Sequence, residues 1–576
     1  MEKNKVLITT SMQETWINNN SSTCFLTEAC RRYSERDKWG SLNSFVLPHH
    51  WNDRFKLKQD HDYLKILYER ILGDMTVVFN NIFGSNESEH YYRIILGPWL
   101  INYLPIVFDR WETLRSTFSS KSSYLTANLI GLRERVPAKD FNSFIDLMQT
   151  DLWNYSLYKR IIDFQHADHC EMVDVIYTEK QIKKHQKKEH KVISTVDKLL
   201  SIISKDPRIF FYKSYFKASK LGELNLALRQ VPRFYSKEFE LEIENDFDVN
   251  FRKRFKIGLV ASCRFEEFLF EVIFADIPLV YIESFREIRN YTSSLPFNPD
   301  KIVTANAYWT NDIFKIWAAH KSTSGTALLI SCHGGALPPL FNTFEHEEDI
   351  SNAYITWFRP YHPKHVQLPP NKLVGSKKQK TCGNNCSVIG FESPKYGYRA
   401  TAGPISNQTL DVFNHTSEFC SALSDQVKER LRIRPYPNLG WETALRYTDK
   451  FGSEKIDSRK SYTKFIQESK LIVCTYPQTT FAEALSSGTP TILVFIPRVY
   501  ELIPESNELL NMLKTVKIVF TDPLEAAIHV NSIWGDIFQW WHNAEVVAAK
   551  RKFYETALRL DLEWKKSWVD YLKKGH

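Results

Sequence analysis

Apolar positions along this chain gather into short runs that end at polar turns, and in the second half these runs alternate with amphipathic stretches of helical length. Leu471–Phe495, LIVCTYPQTTFAEALSSGTPTILVF, is the clearest example: a buried strand, a turn at Tyr476 and Pro477, a short helix, then a second strand rich in β-branched residues. Ile302–Asn306 and Ala327–Ser331 repeat the strand signal, and Lys517–Val530 (KIVFTDPLEAAIHV) adds a strand, a Thr-Asp-Pro turn and a helix. This alternation predicts an α/β fold built on a doubly wound parallel sheet. In the first half the runs Lys5–Thr10, Tyr92–Leu96, Lys256–Ser262 and Leu279–Ile282 read as further strands, and most of the stretch between Trp51 and Asp246 reads as helix.

The helix after Cys474 carries its own start and stop. Thr480 and Glu483 have the spacing of a capping box, while Gly488 and Pro490 end the helix. Free N–H groups and the positive end of the helix dipole favour an anion at such a start, so Gln478, Thr479 and Thr480 are candidates for binding phosphate. A capped helix with no ligand remains the alternative.

Composition bounds the rest. A chain of 576 residues with ordinary apolar and charged content has material for two large domains. The boundary is expected near Pro296, in SSLPFNPDK, giving domains over 1–296 and 297–500. The segment 501–576 holds a last strand and Trp-rich helices expected to pack back on the first domain. The formal charge of +8 suits anionic ligands without selecting one, and the basic run Lys180–Lys191 reads as a solvated helix face. No apolar run reaches the roughly 18 residues of a membrane span and no signal-peptide pattern opens the chain, so a cytosolic protein is expected, with peripheral membrane contact at most. Nine cysteines without such a signal suggest reduced thiols; Cys382 and Cys386, with His362 and His365 upstream, form a zinc pattern that matches no common finger closely.

Further candidates lie at predicted strand ends. His333, Gly334 and Gly335 follow a strand in ALLISCHGGALPP, where glycines admit a ligand to the backbone and a histidine can move a proton. Glu345, His346, Glu347 and Glu348 follow and either line the same cleft or form a solvated loop. Arg432 and Arg434 alternate with apolar residues as in a strand, on one face, placed either to neutralise phosphate or to form ion pairs at a sheet edge. In the first half, Glu14 and Trp16, Trp99, and Asp151, Trp153 and Asn154 combine acids or amides with aromatic rings as sugar sites do, although helix packing accounts for each alone.

The ordered set LITTSMQETW, RIILGPWL, DLWNY, IPLVYIESF, SCHGGALPP and TYPQTTFAEAL resembles a family of transferases encoded in bacterial O-antigen and other surface-carbohydrate gene clusters, over most of the chain. The resemblance implies a GT-B-like glycosyltransferase, two Rossmann-like domains facing a cleft. Its C-terminal domain would hold a nucleotide sugar and its N-terminal domain a growing glycan or a lipid-linked acceptor. It further implies that Gln478, Thr479 and Thr480 meet donor phosphate and that Glu483 reaches the ribose. Where an acidic residue is expected after HGG, this chain has Asn352.

Together these readings predict glycosyl transfer without metal or other cofactor. The donor site is expected at Gly334, Gly335, Arg432, Arg434 and the Thr479 turn, and the acceptor site at Trp16, Trp99, Trp153 and Asn154. His333, Glu14 and Asp151 are the nominees for general base. The alternatives are a sugar-nucleotide epimerase of the same fold, which needs no acceptor, and a non-catalytic basic binding protein; specific nucleic-acid binding is not expected.

Overall fold

The computed structural model describes residues 5–17, 21–119, 122–132, 136–165, 170–178, 207–233, 238–241, 245–375, 383–397, 399–459, 461–560 and 563–574. The run Lys180–Lys191 and Cys382 lie outside the described residues.

Among the described residues, fifteen strands form three five-stranded sheets, and every pairing between these strands is parallel. The first sheet holds β1 (Lys5–Ile8), β2 (Thr23–Phe25), β3 (Ser44–Val46), β4 (Tyr124–Ile130) and β5 (Cys170–Ile176), in the order β3-β2-β1-β4-β5. The second holds β6 (Ile209–Phe211), β7 (Lys301–Thr304), β8 (Ala327–Ser331), β9 (Ala353–Thr356) and β10 (His365–Gln367), in the order β10-β9-β8-β7-β6. The third holds β11 (Asn385–Ile389), β12 (Leu431–Arg434), β13 (Ser469–Cys474), β14 (Thr491–Val494) and β15 (Val519–Phe520), in the order β12-β11-β13-β14-β15. The α/β class read from the sequence is therefore the class observed. The sheets divide the chain differently from the expected boundary near Pro296, which falls between the paired strands β6 and β7.

Three expected strands take other forms. Tyr92–Leu96 lies in a 30-residue helix, Glu89–Phe118, whose start is capped by the Ser88 side chain accepting the Tyr91 N–H. That helix is buried on all sides, so its apolar residues show no 3.6-residue stripe, and Pro98 and Pro105 inside it mimic strand and turn punctuation. It packs against the helices Arg54–Phe83 and Asp312–Thr323, and this enclosure overrides the cost of two prolines. Leu279–Ile282 is a tight turn whose Leu279 and Val280 N–H groups bond the carbonyls of Ala138 and Lys139. Lys256–Ser262 is irregular chain, because a short apolar run alone does not specify a strand.

The C-terminal segment serves two sheets. Helix Ala544–Ala557 packs Val546, Ala549 and Phe553 against the third sheet's core. The last helix, Trp564–Lys573, buries Trp564, Trp568 and Leu572 against Ile209, Phe211, Val303 and Leu329 of the second sheet. Trp568 Nε1 donates to the Pro369 carbonyl at 2.9 Å and Lys301 Nζ donates to the Leu572 carbonyl at 2.7 Å, fixing that return crossing.

Candidate functional site

The carboxyl ends of β8 and β13 meet. Gly335 donates its N–H to Thr479 Oγ1 at 2.9 Å, joining the turn after β8 to the helix Thr479–Ser487. A Cβ on Gly334 would stand 2.1 Å from Thr479 Oγ1, so glycine is required there by space, and Gly335 has φ +80°, which favours glycine by conformation. Gln478, without a side-chain cap bond, precedes the helix, and both Gln478 and Thr479 face a cavity of about 860 Å³. The helix start turns the positive end of its dipole toward that cavity.

The expected capping box does not form. The cap falls at Gln478, two residues before Thr480; Thr480 Oγ1 instead pairs with the Tyr476 hydroxyl at 2.6 Å, and Glu483 binds Lys372 Nζ at 2.5 Å. Neither Thr480 nor Glu483 lines the cavity.

Other strand ends complete the walls. Tyr308 and Trp309 follow β7, Trp357 and Phe358 follow β9, and Arg399 comes from the segment after β11. The Arg399 guanidinium lies 5.1 Å from the Trp309 ring centroid and its Nε donates to Asn102 Oδ1 at 3.2 Å. His333 is open to the cavity's solvent but walled by protein. That enclosure, and then Arg399 and Lys372, lower its pKa, so its ring is neutral at neutral pH.

The acidic run lines the same cavity through Glu345, Glu347 and Glu348. Glu347 accepts hydrogen bonds from the Tyr308 hydroxyl at 2.9 Å and from Thr343 Oγ1 at 2.7 Å. Burial, and then the neighbouring Glu348 charge, push its pKa above the usual carboxylate range despite those two bonds. Glu348 holds the buried His365 through Nε2 at 2.7 Å.

The remaining candidates sit elsewhere. Asp151 does not line the cavity; it accepts from Ser11 Oγ at 2.8 Å and Lys395 Nζ at 3.0 Å, and also from Arg32 and Tyr396. Burial alone would raise its pKa, but Lys395, Tyr396 and Arg32 outweigh that and hold the carboxyl well below its ordinary value. Such an ion-paired carboxylate is a weak base, which counts against the expected catalytic role. Glu14, in a short turn after β1, also lies outside the cavity wall.

The expected acceptor residues are structural. Trp99 is fully buried and stacks on Tyr103 at 4.6 Å between centroids, and Trp153 packs edge-on to Phe144 at 6.2 Å. Asn154 is buried, accepting from Arg110 Nη2 at 2.8 Å and donating to the Met148 and Thr150 carbonyls. Trp16 packs on Phe25 at the first core's margin. Each therefore fills the packing role that its aromatic or amide side chain also allowed.

Arg432 and Arg434 lie on the edge strand β12, outside the cavity wall. Arg432 Nη1 donates to the Leu431 carbonyl at 2.7 Å and Arg434 Nη1 to the Arg459 carbonyl at 2.8 Å. Arg399 is the arginine that lines the cavity. It was missed because β11, whose carboxyl end leads to it, gives no clear strand signal in a Cys- and Asn-rich stretch.

Two groups bear on metal binding. The Cys386 thiol is buried in β11 and its pKa is pushed up to about 12, so it is not poised as a zinc ligand, and His365 Nε2 is bound to Glu348. His49, His50 and Asp109 cluster closely, but His49 Nδ1 accepts the Trp51 N–H. Its Nε2 therefore carries the proton and donates to Asp109 Oδ1 at 3.0 Å, leaving no lone pair for a cation.

Among the described residues no helix is long and apolar enough to cross a membrane. No curated protein sequence matches the chain. Solved structures that align include Acinetobacter baumannii MurG, with 12% identity, TM-score 0.32, and coverage of 65% of this chain and 100% of that one. MnaA of S. aureus, solved with UDP, aligns at 12% identity and TM-score 0.33, covering 64% and 96%. The Streptomyces sp. SF2575 glycosyltransferase SsfS6 aligns at 10% identity and TM-score 0.25, covering 50% and 72%. The sequence profile of the LIC12162 family transferases matches residues 5–572, and the chain belongs to that family.

Proposed function

We propose that this transferase moves a sugar from a nucleotide-sugar donor to a growing surface glycan or a lipid-linked acceptor. It would work in the cytosol, without metal or other cofactor, and touch the membrane peripherally where the acceptor is lipid-linked. The observation that carries the reading is the junction of the Gly334–Gly335 turn with the Thr479 helix start, in one cavity with Arg399. First-turn N–H groups and a guanidinium fork suit the charge that develops on a departing phosphate, and an aromatic wall suits a sugar face. Arg399 here takes the role expected of Arg432 and Arg434.

A thermal-shift screen with UDP, GDP, dTDP and CMP tests the reading, since a ligand that binds only the folded protein raises Tm. One nucleotide is expected to raise Tm, with the shift reduced in Thr479→Ala and lost in Arg399→Gln. If none of the four moves Tm, the donor site is wrong and a non-catalytic binding role gains ground. Conversion of a nucleotide sugar without any acceptor would point to an epimerase instead.

A further inference from the structure

The cavity holds one carboxylate set up differently from every other acid near it. Glu347 stands on the short helix His346–Ile350, half-buried at the cavity wall, with one oxygen taking the Tyr308 hydroxyl and the other the Thr343 hydroxyl. Its partners are neutral hydroxyls from two separate segments, and no cation is among its hydrogen-bond partners in the described residues. Glu348 is its acidic neighbour on the same helix, and Cys332 and Tyr354 face it from β8 and β9. Arg399 lies across the cavity beside Tyr308. Behind the helix, His346 is fully buried with both ring nitrogens unpartnered, pressed against Gly97; the Arg93 and Lys315 charges act on His346, and Lys364 Nζ donates to the Glu348 and Ser351 carbonyls instead of to Glu347.

We propose that Glu347 is the group that takes the proton from the acceptor hydroxyl, an assignment that rests on the function proposed above. The acceptor oxygen bonds to the anomeric carbon as the bond from that carbon to the donor phosphate oxygen breaks. The electron pair leaves with the nucleotide, and the hydroxyl proton ends on the Glu347 carboxylate. A base needs an affinity for protons near the working pH and a fixed orientation. Desolvation and Glu348 raise the proton affinity of Glu347, and the Tyr308 and Thr343 hydroxyls fix its orientation, one bond on each oxygen, with a lone pair left on each. Asp151, held in place by ion pairs outside the cavity, lacks the proton affinity and the access.

The test measures nucleotide release from UDP-, GDP-, dTDP- and CMP-linked sugars, with water and octyl glycosides as hydroxyl sources, across pH. Glu347→Gln is expected to keep the nucleotide-induced Tm shift while release falls by at least about a hundredfold. Tyr308→Phe removes a bond that favours the ionised carboxylate, so the acid limb of the pH–rate profile should move to higher pH with the plateau rate kept. A merely structural Tyr308 would lower the rate without moving the limb. Wild-type release that Glu347→Gln leaves intact, or a limb that Tyr308→Phe does not move, overturns the assignment alone. A wild-type protein that binds nucleotide but releases it from no donor overturns glycosyl transfer, and the base with it.

Discussion

Asp151 and Glu347 are carboxylates in two parts of one molecule, each accepting hydrogen bonds at both oxygens, and their neighbours drive them in opposite directions. Asp151 ties the first sheet's lobe to the segment after β11 through Lys395, Tyr396, Arg32 and Ser11, and is held ionised far below its ordinary range. Among the described residues Glu347 takes hydrogen bonds from two hydroxyls beside a second acid, and is held above that range. Burial raises both; the difference is the presence of cations. The lesson is that a buried acid becomes a structural tie or a proton carrier according to what supplies its hydrogen bonds.

The most forceful way to break the comparison is Asp151→Ala. Lys395 is nearly buried, and its own pKa is lowered because burial outweighs the attraction of Asp151. Removing the carboxylate leaves that ammonium without its main partner, a loss of about 3–5 kcal/mol for a broken buried pair. Denaturant unfolding at neutral pH measures it, and a loss under about 1 kcal/mol would mean that water reaches Lys395 and the tie is superficial. Asp151→Asn tests the pH side. A depressed pKa contributes stability that is present above the unfolded carboxyl's pKa and is lost as pH falls through the folded value, so the gap between wild type and Asn variant should narrow on acidification.

Glu347→Gln should show the reverse slope. A raised pKa contributes stability that is present below the unfolded value and disappears as pH rises through the folded one. The variant's Tm relative to wild type should therefore improve from pH 4 toward neutrality, measured in parallel with Asp151→Asn. Parallel slopes for the two would refute the contrast.

Gly334→Ala sharpens the view of the junction between sheets. The new methyl would sit 2.1 Å from Thr479 Oγ1 and 3.0 Å and 3.1 Å from its Cγ2 and Cβ. A cost of about 1–3 kcal/mol and a smaller nucleotide-induced Tm shift are expected. Adding Thr479→Ala removes the clashing oxygen, so the double variant should lose less than the sum of the singles.

What the sequence disclosed follows from how local its signals are. β8, β13 and β14 were legible because apolar runs end at Gly, Pro or Thr within a few residues, and Gly334, Gly335 and Thr479 were legible with them. The helix Glu89–Phe118 was not, since burial on every face erases periodicity and its prolines are stabilised by distant helices. Glu347 was visible only as one acid of a cluster; its distinction comes from Tyr308, 39 positions earlier in the chain, and no spacing rule connects the two. Trp99 and Asn154 show the opposite error, in which residue types suited to sugar binding are consumed by packing.

The smallest expected effect separates the arginine that the cavity uses from those that the sequence suggested. Arg432 and Arg434 point to one face as their alternation predicts, but that face belongs to an edge strand and their donors go to main-chain carbonyls nearby. Arg432→Gln should change stability by no more than about 0.5 kcal/mol and leave the nucleotide-induced Tm shift at its wild-type size. Arg399→Gln removes the guanidinium that stands at the cavity wall over Trp309, and should abolish that shift. Equal losses of nucleotide binding in both variants would mean that the phosphates reach the β12 edge, and the donor would then have to lie across the third sheet's end instead of in the cavity between sheets two and three.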